Sequence, residues 1–224
     1  MTGDRVRTGE WPIVPPGIWL DIRTSRGGAL RPALFLDRDG VIVEDRGFIS
    51  APADVTLVAG AAALVRMANG ARVPVLVVTN QSGIDRGRFG WDAFAAVEDR
   101  IAALLAAEGA TLDAIAACPF HPDFTPGYGP AQARYRKPEA GMITRLSEAL
   151  GIALSDSWMV GDQPRDMEAA RKADLAGGVM VGDPEAAAAR EAGSLSTSSF
   201  AVRCARSLTD AAQFLRTTRL FAHA

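Results

Sequence analysis

The chain has 224 residues, 48% hydrophobic and 22% charged, with a formal net charge of −2. That size suits one globular domain with a sizeable core and modest additions, and the slight acidity excludes a generally basic, nucleic-acid-binding surface. Two cysteines, Cys118 and Cys204, are too few for a disulfide framework, and two histidines, His121 and His223, exclude a mechanism built on several of them.

Residues 1 to 30 are rich in Pro, Gly and Arg and read as an extension packed on the surface, with a short strand at "GIWLDI" (17–22). Strands and helices then alternate. Strands are expected at 33–37, 73–80, 112–118, 155–162 and 177–181, with a further one near "FAVRCA". Helices are expected at 59–70, 91–109, 141–151 and 166–177, and at "SLTDAAQFLRTT" near the end. "VPVLVVTN" (73–80) is almost wholly apolar, as in a strand buried on both faces. This alternation predicts a three-layer α/β fold, with a mostly parallel sheet between helices on both faces. No apolar run reaches the roughly 18 residues of a membrane span. The N-terminus lacks the apolar core of a secretory signal. A soluble, cytoplasmic protein with no membrane or nucleic-acid partner is expected.

Ligands of such sheets bind at the carboxyl ends of the strands. Asp37, Thr79, Cys118 and Asp162 all fall at expected strand ends. In "ALFLDRDG", Asp37 and Asp39 share one side if extended geometry continues. An EF-hand loop fails here, because Val41 and Ile42 stand where an acid or amide and a Gly are needed. "VVTNQSG" (77–83) offers Thr79 Oγ and loop amides to a phosphate. Lys137 precedes a Pro near a helix start, and in "WMVGDQPRDMEAA" the apolar run drives Asp162 to the sheet edge, with Asp166 four residues on. Singly, each has an ordinary structural explanation: an acidic turn, a strand-to-loop turn, a solvated lysine, an acid at a helix start.

Together, Asp37-Arg38-Asp39-Gly40, Thr79, Lys137 and Gly161-Asp162 with Asp166 resemble the four motifs of the haloacid dehalogenase (HAD) superfamily, over residues 33 to 182. The resemblance implies a HAD-like domain at 31–224 behind the extension at 1–30, with no large cap domain. It implies a phosphatase in which Asp37 is a nucleophile forming an aspartyl-phosphate. Asp39 is the acid and base, and Thr79 and Lys137 hold the phosphoryl oxygens. Mg²⁺ would be held by Asp37 and Asp162 and by the Asp39 carbonyl, with Asp166 in support. "CPFHP" and "YRKPEAGM" are similar to the branch holding heptose bisphosphate and histidinol-phosphate phosphatases. That implies substrate contacts from Asp45, Asn80, Gln81, Ser82 and Arg136. It makes a sugar bisphosphate of carbohydrate metabolism the first choice of substrate, ahead of histidinol phosphate or another small phosphorylated metabolite. Monomers or weak homo-oligomers are expected.

The loop at 118–136 is the one candidate lid, and it departs from the branch. A structural zinc there would need C-x-H and C-x-C. The chain has Cys118-Pro119-Phe120 and Ala133-Arg134-Tyr135, and His121 is one residue out of place. No zinc is expected, and prolines with Tyr128 and Tyr135 are left to hold the lid. Two other classes stand against the enzyme. A receiver-type signalling module also gathers acids, a Thr and a Lys, but its phosphorylated Asp comes after the acid pair. A catalytically silent phospho-ligand-binding protein would show a substituted motif, and none is substituted.

Overall fold

The computed structural model describes residues 11–24 and 30–222. Eight strands form one sheet: β1 (Ile13–Val14), β2 (Ile18–Ile22), β3 (Leu34–Leu36), β4 (Val75–Asn80), β5 (Ala114–Cys118), β6 (Trp158–Gly161), β7 (Gly177–Val181) and β8 (Ala201–Ala205). Their order is β1-β2-β5-β4-β3-β6-β7-β8. From β5 through β8 every pair is parallel; β1 and β2 are antiparallel additions at one edge. Helices α1 (Ala61–Gly70), α2 (Trp91–Ala107), α3 (Pro130–Ala133), α4 (Gly141–Leu150), α5 (Pro164–Lys172), α6 (Ala187–Gly193) and α7 (Leu208–Leu215) connect them.

The strand period of two divides the apolar residues between two cores. Leu34, Leu36, Val75 and Val77 face one core with Leu64 of α1, Ile101 of α2 and Leu208 of α7. Phe35, Leu76 and Val78 face the other with Leu146 of α4, Met167 of α5 and Ala192 of α6. The chain is therefore the expected three-layer α/β sandwich, and only a loop, a single 3₁₀ turn and α1 separate β3 from β4. No helix among the described residues is long and apolar enough to cross a membrane.

The elements depart from expectation in a few places. β2 is not laid on the surface. It pairs with β5 from Trp19↔Ala117 to Ile22↔Ala114, and Ile18 and Trp19 are fully buried. Trp19 is sandwiched between Trp11 and Trp91, with ring centroids 5.6 Å away in both cases. The short β1 and helices α3 and α6 were not anticipated. α5 starts earlier, with Pro164 in its first turn, where the missing N–H is harmless. It ends earlier because Asp174 takes a left-handed φ of 57°. His223 lies outside the described residues.

Candidate active site

Strand order reverses around β3: β4 and β5 lie to one side of it, β6 and β7 to the other. Crossovers leave β3 in opposite directions, which opens a crevice at the carboxyl ends of β3, β4 and β6. Asp37, Thr79 and Asp162 sit at those ends, and the loop before α4 brings Lys137 to them.

Lys137 is 2% exposed, and its ammonium is held by one hydrogen bond and two ion pairs. Nζ lies 2.8 Å from the Val78 carbonyl, 2.8 Å from Asp37 Oδ1 and 2.7 Å from Asp166 Oδ1. Burial works to lower its pKa, but Asp166 and Asp37 outweigh that and raise it, so the ammonium stays charged. Asp37 Oδ1 also accepts from the Arg38 backbone N–H at 2.7 Å. Both donors converge on one oxygen. Oδ2 has no protein donor among the described residues. Asn80 fixes the loop carrying Lys137: its amide donates to the Lys137 carbonyl at 2.9 Å and accepts from the Lys137 N–H at 3.0 Å.

Asp166 is fully buried at the start of α5, where its Oδ2 accepts from the Gln163 N–H at 3.0 Å. Burial pushes its carboxyl up to about 6 against the pull of Lys137. Burial likewise raises Asp162, opposed by a hydrogen bond from Gln163 and helped by the charge of Asp37. Asp162 Oδ1 is buried with no hydrogen-bond partner among the described residues. Oxygens of Asp37, Asp162 and Asp166 all lie within 4.8 Å of one another. A buried, unpaired carboxylate oxygen in such a group fits a hard cation, whose charge would cancel the repulsion. Two glycines allow the close approach. A Cβ on Gly40, which has φ +78°, would lie 2.4 Å from Asp162 Oδ2, and one on Gly161 would lie 2.4 Å from Asp166 Cβ.

The Asp39 carboxylate does not join this group. It turns to the Arg38 guanidinium, with Nη2 at 2.9 and 3.0 Å from its two oxygens. Gln81 donates to Asp39 Oδ2 at 2.8 Å and to Thr79 Oγ1 at 2.9 Å, and is itself 4% exposed. The side chains of Asn80 and Gln81, expected at the substrate, are thus committed to Lys137 and to Asp39 and Thr79. Ser82 is half-buried on the following loop. Asp45 is exposed, closing a turn onto the Gly47 N–H at 2.8 Å. Its loop reaches the same edge, since Phe48 lies beside Gly83 and under Arg88. Arg136 is half-buried and donates to the Phe120 carbonyl at 2.9 Å. Its pKa is lowered by burial, with the nearby charges of Arg165 and Arg86 adding to the effect.

The lid loop is fastened from its ends. Phe120, Tyr128 and Tyr135 pack on the second core. Thr125 donates to Asp85, the Arg86 Nη2 donates to His121 Nε2 at 2.7 Å, and the Arg86 guanidinium covers the Phe124 ring at 4.3 Å. Burial and the charge of Arg86 lower the His121 pKa, which keeps the ring a neutral acceptor. Burial pushes the Cys118 thiol up to about 12, so it stays protonated in the core. The motifs gave no sign of Asp85, Arg86 or Glu98. Glu98 left one signal: it falls in the apolar stripe Phe94, Ile101, Leu105 of α2, where an acid is out of place.

A family model described as HAD-hydrolase-like matches residues 134–190. A D-glycero-beta-D-manno-heptose-1,7-bisphosphate 7-phosphatase of Mesorhizobium japonicum is 43% identical over 183 residues, covering 79% of this chain and 81% of that protein. The crystal structure of a HAD-like phosphatase from Mesorhizobium loti superposes with a TM-score of 0.82 at 38% identity, covering 96% of this chain and 98% of the other. That of the D,D-heptose 1,7-bisphosphate phosphatase of B. bronchiseptica, complexed with magnesium and phosphate, gives 0.69 at 28% identity, over 82% and 97%. Four motifs meeting at one switch point, on a fold shared over 82% or more of the chain with these two solved structures, place the chain in the HAD superfamily of phosphatases, in the branch of the heptose bisphosphate phosphatases.

Proposed function

We propose that this phosphatase removes one phosphate from a sugar bisphosphate, D-glycero-D-manno-heptose 1,7-bisphosphate, through an aspartyl-phosphate at Asp37 and with the help of Mg²⁺. The observation that carries the reading is the Asp37 carboxylate: one oxygen is tied to Lys137 and the Arg38 N–H, and the other is left open at the crevice. The carboxylates of Asp37 and Asp162, with the Asp39 carbonyl, would hold the Mg²⁺. When bound, that ion supplies positive charge for the phosphoryl oxygens.

The chain's own groups divide the remaining work. Asp37 Oδ2 attacks phosphorus while Asp39 gives a proton to the leaving sugar oxygen. Water then attacks the phospho-aspartate and loses its proton to Asp39. Thr79 and the amides of the loop after it face the phosphoryl oxygens, and Lys137 provides a fixed positive charge next to them. Asp166 holds Lys137 in place. The positive charges of Arg86 and Arg165, close enough to Arg136 to reinforce the lowering of its pKa by burial, support a substrate with a second phosphate, which would neutralise them. Asp45 and Ser82, on neighbouring loops, would meet sugar hydroxyls. With Phe120 and Tyr135 where the branch places zinc ligands, the loop is expected to work without that metal.

The test is a hydrolysis screen over sugar phosphates, with both heptose bisphosphate anomers and histidinol phosphate included. The expected result is a preference for a heptose bisphosphate, dependence on Mg²⁺, and a loss of about 10⁴-fold or more in kcat for Asp37→Asn. Preference for a phosphate outside the sugars would refute the substrate, and unchanged activity in Asp37→Asn would refute the mechanism.

A further inference from the structure

Arg38 stands between the two acids of the first motif, yet its side chain runs into the core and is 1% exposed. Nη1 donates to Glu98 Oε1 at 3.0 Å, and the Glu98 side chain is equally buried. The guanidinium lies 5.6 Å from the Phe94 ring centroid. The opposite edge of the fork meets Asp39: Nε at 3.2 and 3.3 Å, Nη2 at 2.9 and 3.0 Å from Oδ1 and Oδ2. Gln81 adds its bond to Oδ2.

Holding a helix against a sheet does not require this. Two buried charges lose their hydration, and apolar residues of the same volume would pack α2 as well or better. The pair is also unequal. Arg38 donates to two acids, Glu98 at one end of its fork and Asp39 at the other. Glu98 therefore anchors the far end of a fork whose near end grips Asp39. An ionised carboxylate offers about four lone-pair sites. Arg38 and Gln81 take those on the inner side, and the Asp39 side chain keeps 20% of its surface open on the other.

We propose that the buried Arg38–Glu98 pair is a positioning device for Asp39, fixing the orientation from which that carboxyl group serves the reacting oxygens. The proposal rests on the phosphatase mechanism above. Asp39 enters the first step protonated on the edge that Arg38 and Gln81 leave open; as the bond from phosphorus to the leaving oxygen breaks and the Asp37–phosphorus bond forms, that proton passes to the leaving oxygen. As water's oxygen then bonds phosphorus and the Asp37–phosphorus bond breaks, Asp39 takes a proton from the water. Arg38 and Glu98 touch neither substrate nor reacting atoms; they act through Asp39.

Leaving-group dependence separates this role from a merely structural one. An alkyl phosphate needs a proton on its leaving oxygen, and p-nitrophenyl phosphate does not. kcat/KM reports the steps up to leaving-group departure. The variants are Arg38→Lys, which keeps the buried charge, and the double variant Arg38→Met with Glu98→Leu, which removes both charges and so leaves neither unpaired. A general acid is worth about 10²–10⁴-fold, so kcat/KM for the alkyl ester should fall by about 10²-fold in the double variant, with the nitrophenyl ester within about threefold. Arg38→Lys should show the same bias, smaller in size. Thermal unfolding establishes that each variant is folded. Equal losses on both esters in a folded variant, or no loss on either, would overturn the proposal. A wild-type chain that hydrolyses neither ester overturns the phosphatase reading and this proposal with it.

Discussion

The strand-end centre and the lid loop lie at the same edge of the sheet but are held by opposite means. Asp37, Lys137 and Asp166 have side chains no more than 6% exposed, and each fixes the next through charge. Apart from Phe120, which is buried in the second core, the lid is held by contacts between partly exposed groups, with the Phe124 under Arg86 45% exposed. In a low-dielectric interior charges act strongly on one another, and an unpaired one is costly. At the surface, solvent screens each pair and its worth falls below about 1 kcal/mol. The centre is built to keep one geometry for the chemistry. Under the proposed function, this loop would be the adjustable part that meets the variable end of a substrate.

The sharpest way to break this contrast is to remove the charge that joins the centre. Lys137→Met leaves Asp37 and Asp166 buried without their common cation. It should cost about 3–5 kcal/mol of stability, read by chemical denaturation. A cost under about 1 kcal/mol would mean that the centre is no more cooperative than the lid.

A smaller effect is expected from the unpaired oxygen of Asp162. Mg²⁺ at about a hundred times its dissociation constant should stabilise the wild type by about 2.7 kcal/mol, and thermal unfolding should show Asp162→Asn losing most of that gain. Equal stabilisation of both proteins would place the cation elsewhere.

The smallest effect belongs to the lid. Thr125→Val removes the bond to Asp85 and should cost no more than about 1.5 kcal/mol. It should raise KM for a sugar bisphosphate a few-fold while kcat for p-nitrophenyl phosphate stays unchanged. A fall in kcat for the small ester would show that the lid shapes the reaction itself.

The same contrast explains what could be read from the sequence. Strand ends are announced by the apolar runs before them, so Asp37, Thr79 and Asp162 were placed at one edge from pattern alone, and Lys137 joined them through the motif. The parallel sheet and its helix layers followed from strand–helix alternation. β2 was harder: its partner β5 lies nearly a hundred residues away, and a short run after two prolines carries no mark of that pairing. Asn80 and Gln81 were assigned to the substrate through the family resemblance. In the fold their side chains hydrogen-bond Lys137 and Asp39, a choice of rotamer that spacing does not encode. Glu98 was visible as an acid in an apolar stripe, but its partner Arg38 is 60 residues away in the chain.

The central claim is that Asp37 and Asp39 have different tasks despite standing one residue apart. Asp39→Asn with p-nitrophenyl phosphate tests it most directly, because the first step then needs no proton while the second still needs a base. The account predicts a burst of about one p-nitrophenol per active site, followed by slow turnover. It also predicts that mass spectrometry of the quenched protein will find a phosphoryl group on the peptide holding Asp37. No burst together with an unmodified Asp37, or a phosphoryl group found on another residue, would contradict it.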